Sequence, residues 1–229
     1  MSLAGLFNAR WPGVALFDLD GTLVNSAPDL AAAVDLTLEQ LGRKPVGLEQ
    51  VHQWVGHGSP VLIRRALAGK ADWEPATLND DALFDDALAL FYQNYQQFNG
   101  QYSTVYPGVE ACLDALNDRG CRMAVVTNKP EQFVAPLLEQ MGLEHHFQLV
   151  IGGDTLSTKK PDSAPLLHAM EKLQGSRGVT VMVGDSAADV GAAQAAGIPC
   201  VVVTYGYNFG RSVHTLGADA VVDSLSELL

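Results

Sequence analysis

Cysteine is scarce in this chain. Cys112, Cys121 and Cys200 are the only three in 229 residues, and no two of them form a C-x-x-C pair. That argues against a disulfide framework or a thiolate zinc site, and reduced thiols in a cytoplasmic protein are expected. Positive charge is also short: 14 Lys and Arg face 26 Asp and Glu, a formal net charge of −12. A surface of that sign repels a polyanion, so nucleic acid is not an expected partner, whereas a small anion remains allowed where local cations hold it. No run is apolar over the ~20 residues that a membrane-spanning helix needs. The opening MSLAGLFNARWPG, with Arg10 and Pro12, does not read as a cleavable leader. No membrane partner is expected. G-x-S-x-G is missing, which removes the serine-hydrolase elbow, and Gly152-Gly153 stands outside any G-x-G-x-x-G pattern.

What is present suits a buried core. Hydrophobic residues make up 48% and charged residues 17%, a balance that excludes intrinsic disorder. Five short apolar runs each end at a polar or glycine residue: 14–17 before Asp18, 123–126 before Thr127, 149–151 before Gly152, 179–183 before Gly184-Asp185, and 200–203 before Thr204. Continuous rather than alternating hydrophobicity marks strands covered on both faces. Helical patterns fall between the later runs, at about 108–119, 130–141, 164–174 and 187–196, with Gly120, Gly142, Gly175 and Gly197 at the C-cap positions. The alternation predicts an α/β fold with a doubly wound parallel sheet, Rossmann-like.

Residues 26–100 break the rhythm and contain no strand-like run. Ser26-Ala-Pro-Asp29 reads as a capping box, followed by Leu30, Val34, Leu38 and Leu41 on one face. Ser59-Pro60 opens a second helix that ends near Gly69, and a third runs from about Asp80 to Phe98. The expected division is an α/β core of residues 1–24 and 102–229 with a small helical domain, 25–101, inserted into it.

Ligands of open α/β sheets bind beyond the carboxyl ends of the strands. The first strand ends in Phe17-Asp18-Leu19-Asp20-Gly21-Thr22. Carboxylates at i and i+2 project to one side of an extended chain, and a turn at Gly21 and Thr22 could aim backbone N–H groups at an anion. Taken singly, each feature has a plainer reading. Paired acids occur on exposed turns, Thr127 could be a helix N-cap, and Lys160 could be a solvated charge like its neighbour Lys159. Asp185 and Asp189 could decorate a helix start. The tandem His145-His146 lacks partners at metal spacing and is expected at the surface.

Together these segments carry a resemblance. FDLDGTLVNS (17–26) resembles the first signature of the haloacid dehalogenase superfamily, whose members are mostly magnesium-dependent phosphatases. VVTNK (125–129), KKP (159–161) and GDSAAD (184–189) follow in that family's order, and the helical insert matches its cap domain. Within the family the chain looks most similar to the phosphoglycolate phosphatases, through LVNSAPDL, VGHGSPVLIRRAL and GDSAADVGAAQAAG. The resemblance implies that Asp18 attacks phosphorus and that Asp20 serves as general acid and then base. Mg²⁺ would be held by Asp18, the Asp20 backbone carbonyl and Asp185, with Asp189 binding through a water or holding the loop. Thr127, the Asn128 backbone and Lys160 would hold the phosphoryl oxygens, and Lys160 would also lower the repulsion between Asp18 and a phosphate dianion.

The same resemblance makes the loop 55–59 the piece of the cap that closes over the site. Gly56 would approach the ligand closely, His57 could bond a substrate carboxylate, and Arg64 or Arg65 could fork onto it. The expected reaction is hydrolysis of a small phosphate monoester, 2-phosphoglycolate first, by a monomer or homodimer. Another sugar-phosphate phosphatase or a phosphomutase would share the core residues. A dehalogenase would not need Asp20, and a phospho-accepting switch of the response-regulator kind places its acidic pair and its phosphorylated Asp in the opposite order. Two positions depart from the family's pattern: Asn25 stands where Asp is usual, and Ser163 where Pro is common.

Overall fold

The computed structural model describes residues 3–8, 10–70, 81–208 and 212–229. A short helix α1 (Leu3–Leu6) precedes strand β1 (Val14–Phe17). A two-residue strand β2 (Val24–Asn25) then leads into four helices: α2 (Ala27–Gln40), α3 (Gly47–Trp54), α4 (Ser59–Ala68) and α5 (Asp81–Phe98). The chain returns through β3 (Thr104–Val105), antiparallel to β2. It then alternates α6 (Val109–Asp118), β4 (Arg122–Val126), α7 (Val134–Gln140), β5 (Leu149–Ile151), α8 (Ala164–Lys172), β6 (Thr180–Gly184), α9 (Ala187–Ala196), β7 (Cys200–Val203) and β8 (Ala220–Val222).

Six strands form one parallel sheet in the order β5-β4-β1-β6-β7-β8. The five apolar runs are strands because both of their faces are covered. Ala15, Phe17, Met123, Val125, Val181, Val183, Val201 and Val203 pack with α6 and α7 on one face. Val14, Leu16, Ala124, Val126, Met182, Cys200 and Val202 pack with α8 and α9 on the other. The doubly wound Rossmann-like sheet is therefore present, with a sixth strand, β8, beyond those expected. All three cysteines are buried and free.

The inserted helices share an apolar cluster of their own, built from Leu30, Val34, Trp54, Ile63, Phe91 and Tyr95 among others, with Phe133 and Tyr207 joining it from the sheet side. Two sequence expectations fail in this region, and one helix start goes untested. Helix α3 was not anticipated, because only Val51 and Trp54 of its eight residues are buried. The Asp80 start of the third predicted helix lies outside the described residues. Ser26-Ala-Pro-Asp29 is not a capping box: the Ser26 hydroxyl donates to Asp20 Oδ1 at 2.5 Å instead. Buried Asp29 accepts from the Gly100 and Tyr102 N–H groups and the Ser103 hydroxyl, tying the start of the insert to its end. Tertiary partners outcompete the local cap.

Three of the four predicted cap glycines, Gly120, Gly142 and Gly197, take left-handed backbone. At the fourth, Gln174 takes it (φ 50°) and Gly175 instead lets Val14 and Thr180 approach. His146 is buried while His145 is exposed, so only one of that pair behaves as a surface residue.

Candidate active site

The carboxyl end of β1 lies at the centre of the sheet, between β4 and β6, and these three strand ends deliver most of the candidate residues. Asp18 follows β1 directly. Its Oδ1 accepts from the Leu19 N–H at 2.7 Å and meets Lys160 Nζ at 3.0 Å, while among the described residues Oδ2 takes no hydrogen bond. Lys160 is buried and also reaches Asp189 Oδ1 at 2.7 Å. Asp189 is the N3 residue of α9, where its Oδ2 accepts from the Ser186 N–H and hydroxyl and the Asp185 N–H. It thus braces the loop that carries Asp185. Asp185 is held by the Thr22 hydroxyl at 3.0 Å and the Tyr207 N–H at 2.5 Å.

Carboxylate oxygens of Asp18, Asp185 and Asp189, all buried, lie within 4.8 Å of one another. Burial, opposed by Lys160 and reinforced by Asp189 and Asp20, pushes the Asp18 carboxyl up to about 6. Burial, then the neighbouring Asp189 and Asp18, holds Asp185 well above the ordinary carboxylate range. Lys160 is drawn down by burial, but its two carboxylate partners prevail and it ends above the usual lysine value. Three ionised carboxylates against one ammonium would leave two uncompensated negative charges in a dry site. One divalent cation supplies that charge, and its preference for oxygen donors matches the cluster, so these residues fit Mg²⁺.

A pH dependence follows. Because the folded value of Asp18 lies above the unfolded one, its proton stabilises the fold at acid pH, and this contribution is lost as pH rises from about 4 through about 6. A cation must displace that proton at low pH and need not at higher pH. Added Mg²⁺ is therefore expected to raise Tm more at about pH 7.5 than at about pH 5. Calorimetry with Mg²⁺ and with EDTA at both pH values measures this; equal shifts would mean that these carboxyls do not hold the cation.

Gly21 contributes differently from expectation. Its N–H is spent on the Val24 carbonyl and that of Thr22 on the Leu19 carbonyl, so neither is aimed at an anion. Gly21 sits at φ +90°, and a Cβ there would lie 2.5 Å from Asp185 Oδ2. Its value is the room it leaves for the Asp185 carboxylate.

Above Asp18 lies a small cavity of about 30 Å³, lined by Asp18, Asp20, Thr127, Asn128 and Lys129 from the strand ends. Leu30, Val55, Gly56, Gly58, Ser59, Leu62 and Tyr95 of the insert complete it. The Asn128 side chain donates to the Lys160 carbonyl at 3.0 Å and to the Gly56 carbonyl at 3.3 Å, bridging strand end and insert. Gly58 comes so close that a Cβ would stand 3.0 Å from the Asn128 carbonyl. Gly56 thus lies where expected. His57 and Arg65 do not line the cavity: His57 is exposed, with its carbonyl taking Lys159 Nζ at 3.0 Å, and Arg65 donates to the Trp54 carbonyl at 2.8 Å. Arg64 stacks over the Phe84 ring. Lys159, expected in solvent, is half-buried against that loop, and burial lowers its ammonium's proton affinity.

Lys129 was missed. It is buried, and its ammonium meets Asp20 Oδ1 at 3.1 Å. A lysine two residues past the Thr of a buried strand end was the available signal. Asn25, the departure from the family pattern, accepts from the Tyr207 hydroxyl at 2.8 Å, and that hydroxyl in turn accepts from the Ala27 N–H.

A parallel sheet with Asp18, Thr127 and Asp185 at the ends of β1, β4 and β6, Lys160 brought in by the loop after β5, and a helical insert over them is the plan of one enzyme class. The family described as Haloacid dehalogenase-like hydrolase matches residues 15–203. The chain belongs to that family and is a hydrolase of its phosphatase class. A Pseudomonas putida protein named phosphoglycolate phosphatase is 50% identical over 98% of this chain and 81% of its own length. Phosphoglycolate phosphatase 1 of Pseudomonas aeruginosa is 47% identical over 97% of this chain and 80% of its own. Among solved structures, a predicted phosphoglycolate phosphatase from Haemophilus somnus superposes with a TM-score of 0.87 at 34% identity, covering 94% of this chain and 96% of that one.

Proposed function

We propose that the enzyme hydrolyses 2-phosphoglycolate to glycolate and phosphate through an aspartyl-phosphate on Asp18, with residues 25–101 acting as a cap over a core of 1–24 and 102–229. The observation that carries the mechanism is the Asp18 carboxylate, on a residue that lines the cavity: one oxygen is pinned by Lys160 and the Leu19 N–H, and among the described residues the other takes no hydrogen bond. The substrate assignment is supported by the relatives' names.

In the first step Asp18 Oδ2 forms a bond to phosphorus while the bond to the ester oxygen breaks, and Asp20 gives that oxygen its proton. In the second, Asp20 takes a proton from water, which attacks phosphorus and frees the Asp18 carboxylate and inorganic phosphate. Thr127, the Asn128 backbone and Lys160 would hold the phosphoryl oxygens, and Lys160 offsets the repulsion between carboxylate and dianion. Asp18, Asp185 and the Asp20 carbonyl would hold Mg²⁺, with Asp189 bracing the loop. The ion would supply positive charge to the transferring phosphoryl group. The apolar insert residues Leu30, Val55 and Leu62 would exclude bulk water.

Phosphate release from a panel of 2-phosphoglycolate, sugar phosphates, glycerol phosphates and mononucleotides, with Mg²⁺ and with EDTA, tests this. Preference for 2-phosphoglycolate that disappears in EDTA is expected. Cation-dependent release from other esters alone would overturn the substrate, and release unaffected by EDTA would overturn the role of Mg²⁺.

A further inference from the structure

The cavity contains one cation to which the proposed chemistry gives no task. Lys129 reaches Asp20 Oδ1 at 3.1 Å and Oδ2 at 3.5 Å, bonds the Tyr95 hydroxyl, and stands 4.5 Å from the Tyr95 ring centroid. An ammonium has three donors; among the described residues Asp20 Oδ1 and the Tyr95 hydroxyl take two, and the third meets Asp20 Oδ2 only at 3.5 Å, the longest of the three contacts and the one a ligand would replace. Lys160, bonded to Asp18 and Asp189, already has its task at the phosphoryl oxygens in that chemistry. The two carboxylates on the cavity wall, in a chain of net charge −12, oppose a substrate that carries a second anion beside its phosphate.

Resting on the reading of the substrate as 2-phosphoglycolate, we propose that Lys129 is the specificity-determining residue that binds the substrate's carboxylate. The placement follows from connectivity. Asp20 must hydrogen-bond the bridging ester oxygen, and Lys129 is one hydrogen bond from Asp20, so its ammonium lies within about two such lengths, roughly 6 Å, of that oxygen. The carboxylate of 2-phosphoglycolate is one methylene from the same oxygen. Leu30, Val55 and Leu62 make the surroundings apolar, where a charge-assisted hydrogen bond is strongest. Tyr95 and Asp20 fix the ammonium between insert and strand end, so recognition needs no arginine from the insert. A phosphate ester with a neutral group in the carboxylate's place would leave that donor unmatched.

The test compares kcat/KM for 2-phosphoglycolate with that for 2-hydroxyethyl phosphate, which has a hydroxymethyl group in place of the carboxylate, in the natural enzyme, Lys129→Met and Lys129→Arg, all with Mg²⁺. The natural enzyme should favour the acid. Lys129→Met should reduce that ratio roughly tenfold to a hundredfold, chiefly through KM for the acid, and Lys129→Arg should retain part of it. Turnover of the neutral ester in the same sample reports that the variant is folded. If Lys129→Met turns over neither ester, the ratio is read as binding, by calorimetry in Asp18→Asn with and without Lys129→Met. A ratio unchanged in the variant, with both rates lowered alike, would overturn the inference alone and make Lys129 only a positioning residue for Asp20. A natural enzyme that hydrolyses other esters but does not favour the acid would overturn the substrate reading, and the inference with it.

Discussion

Asp18→Asn should release phosphate at least about a thousandfold more slowly than the natural enzyme, while its Tm stays within a few degrees of the starting value. The amide is almost the same shape as the carboxylate but cannot attack phosphorus. Its oxygen can still accept from the Leu19 N–H, and Lys160 retains Asp189 at 2.7 Å. Removing a carboxylate that burial already disfavours costs the fold little. Phosphate release and calorimetry on the same sample give both readings. A variant that turns over near the natural rate would end the case for a covalent intermediate on this residue.

Lys160→Met should behave differently, losing both activity and stability. Its ammonium is the cation bonded to Asp18 and Asp189 at once, and it is fully buried. Deleting one partner of a buried ion pair leaves an uncompensated charge, at a typical cost of about 3–5 kcal/mol. Here three neighbouring carboxylates would share that fate. Chemical denaturation in EDTA should show the loss, and Mg²⁺ should restore part of the stability without restoring turnover. Undiminished stability in EDTA would mean that these carboxylates are not ionised together.

The contrast between the two variants marks which parts of the site were readable beforehand. Asp18, Thr127 and Asp185 were legible because each closes a continuous apolar run, and such runs report burial on both faces without reference to partners, whereas Lys160, nine residues past its run, was legible only through the family resemblance. Strands β2 and β3 were missed because a two-residue ladder is created by pairing rather than by pattern. Ser26 and Asp29 misled because a capping box and a tertiary network use the same residue types, and only the fold shows that Asp20 and the segment 100–103 claim them. Lys159 carries no local mark separating it from a solvated lysine, whereas Lys129 had one in its place two residues past Thr127. Arg65 looked like a ligand because the sequence does not show that the Trp54 carbonyl occupies it.

The central place of β1 has a consequence for how the protein comes into being on the ribosome. Asp18 emerges before the inserted helices, yet its strand finds its sheet neighbours only when β4 and β6 have been made. Thr22 and Asp185, bonded in the finished fold, are 163 residues apart. The inserted helices, by contrast, contact one another within a short stretch of chain and can pack as they appear. A nascent chain therefore carries Asp18 through the synthesis of the inserted helices, β4 and β5 without Lys160 or Asp185 beside it. Hydrolytic capacity arrives late and all at once, after the strand bearing Asp185 has been threaded beside the first.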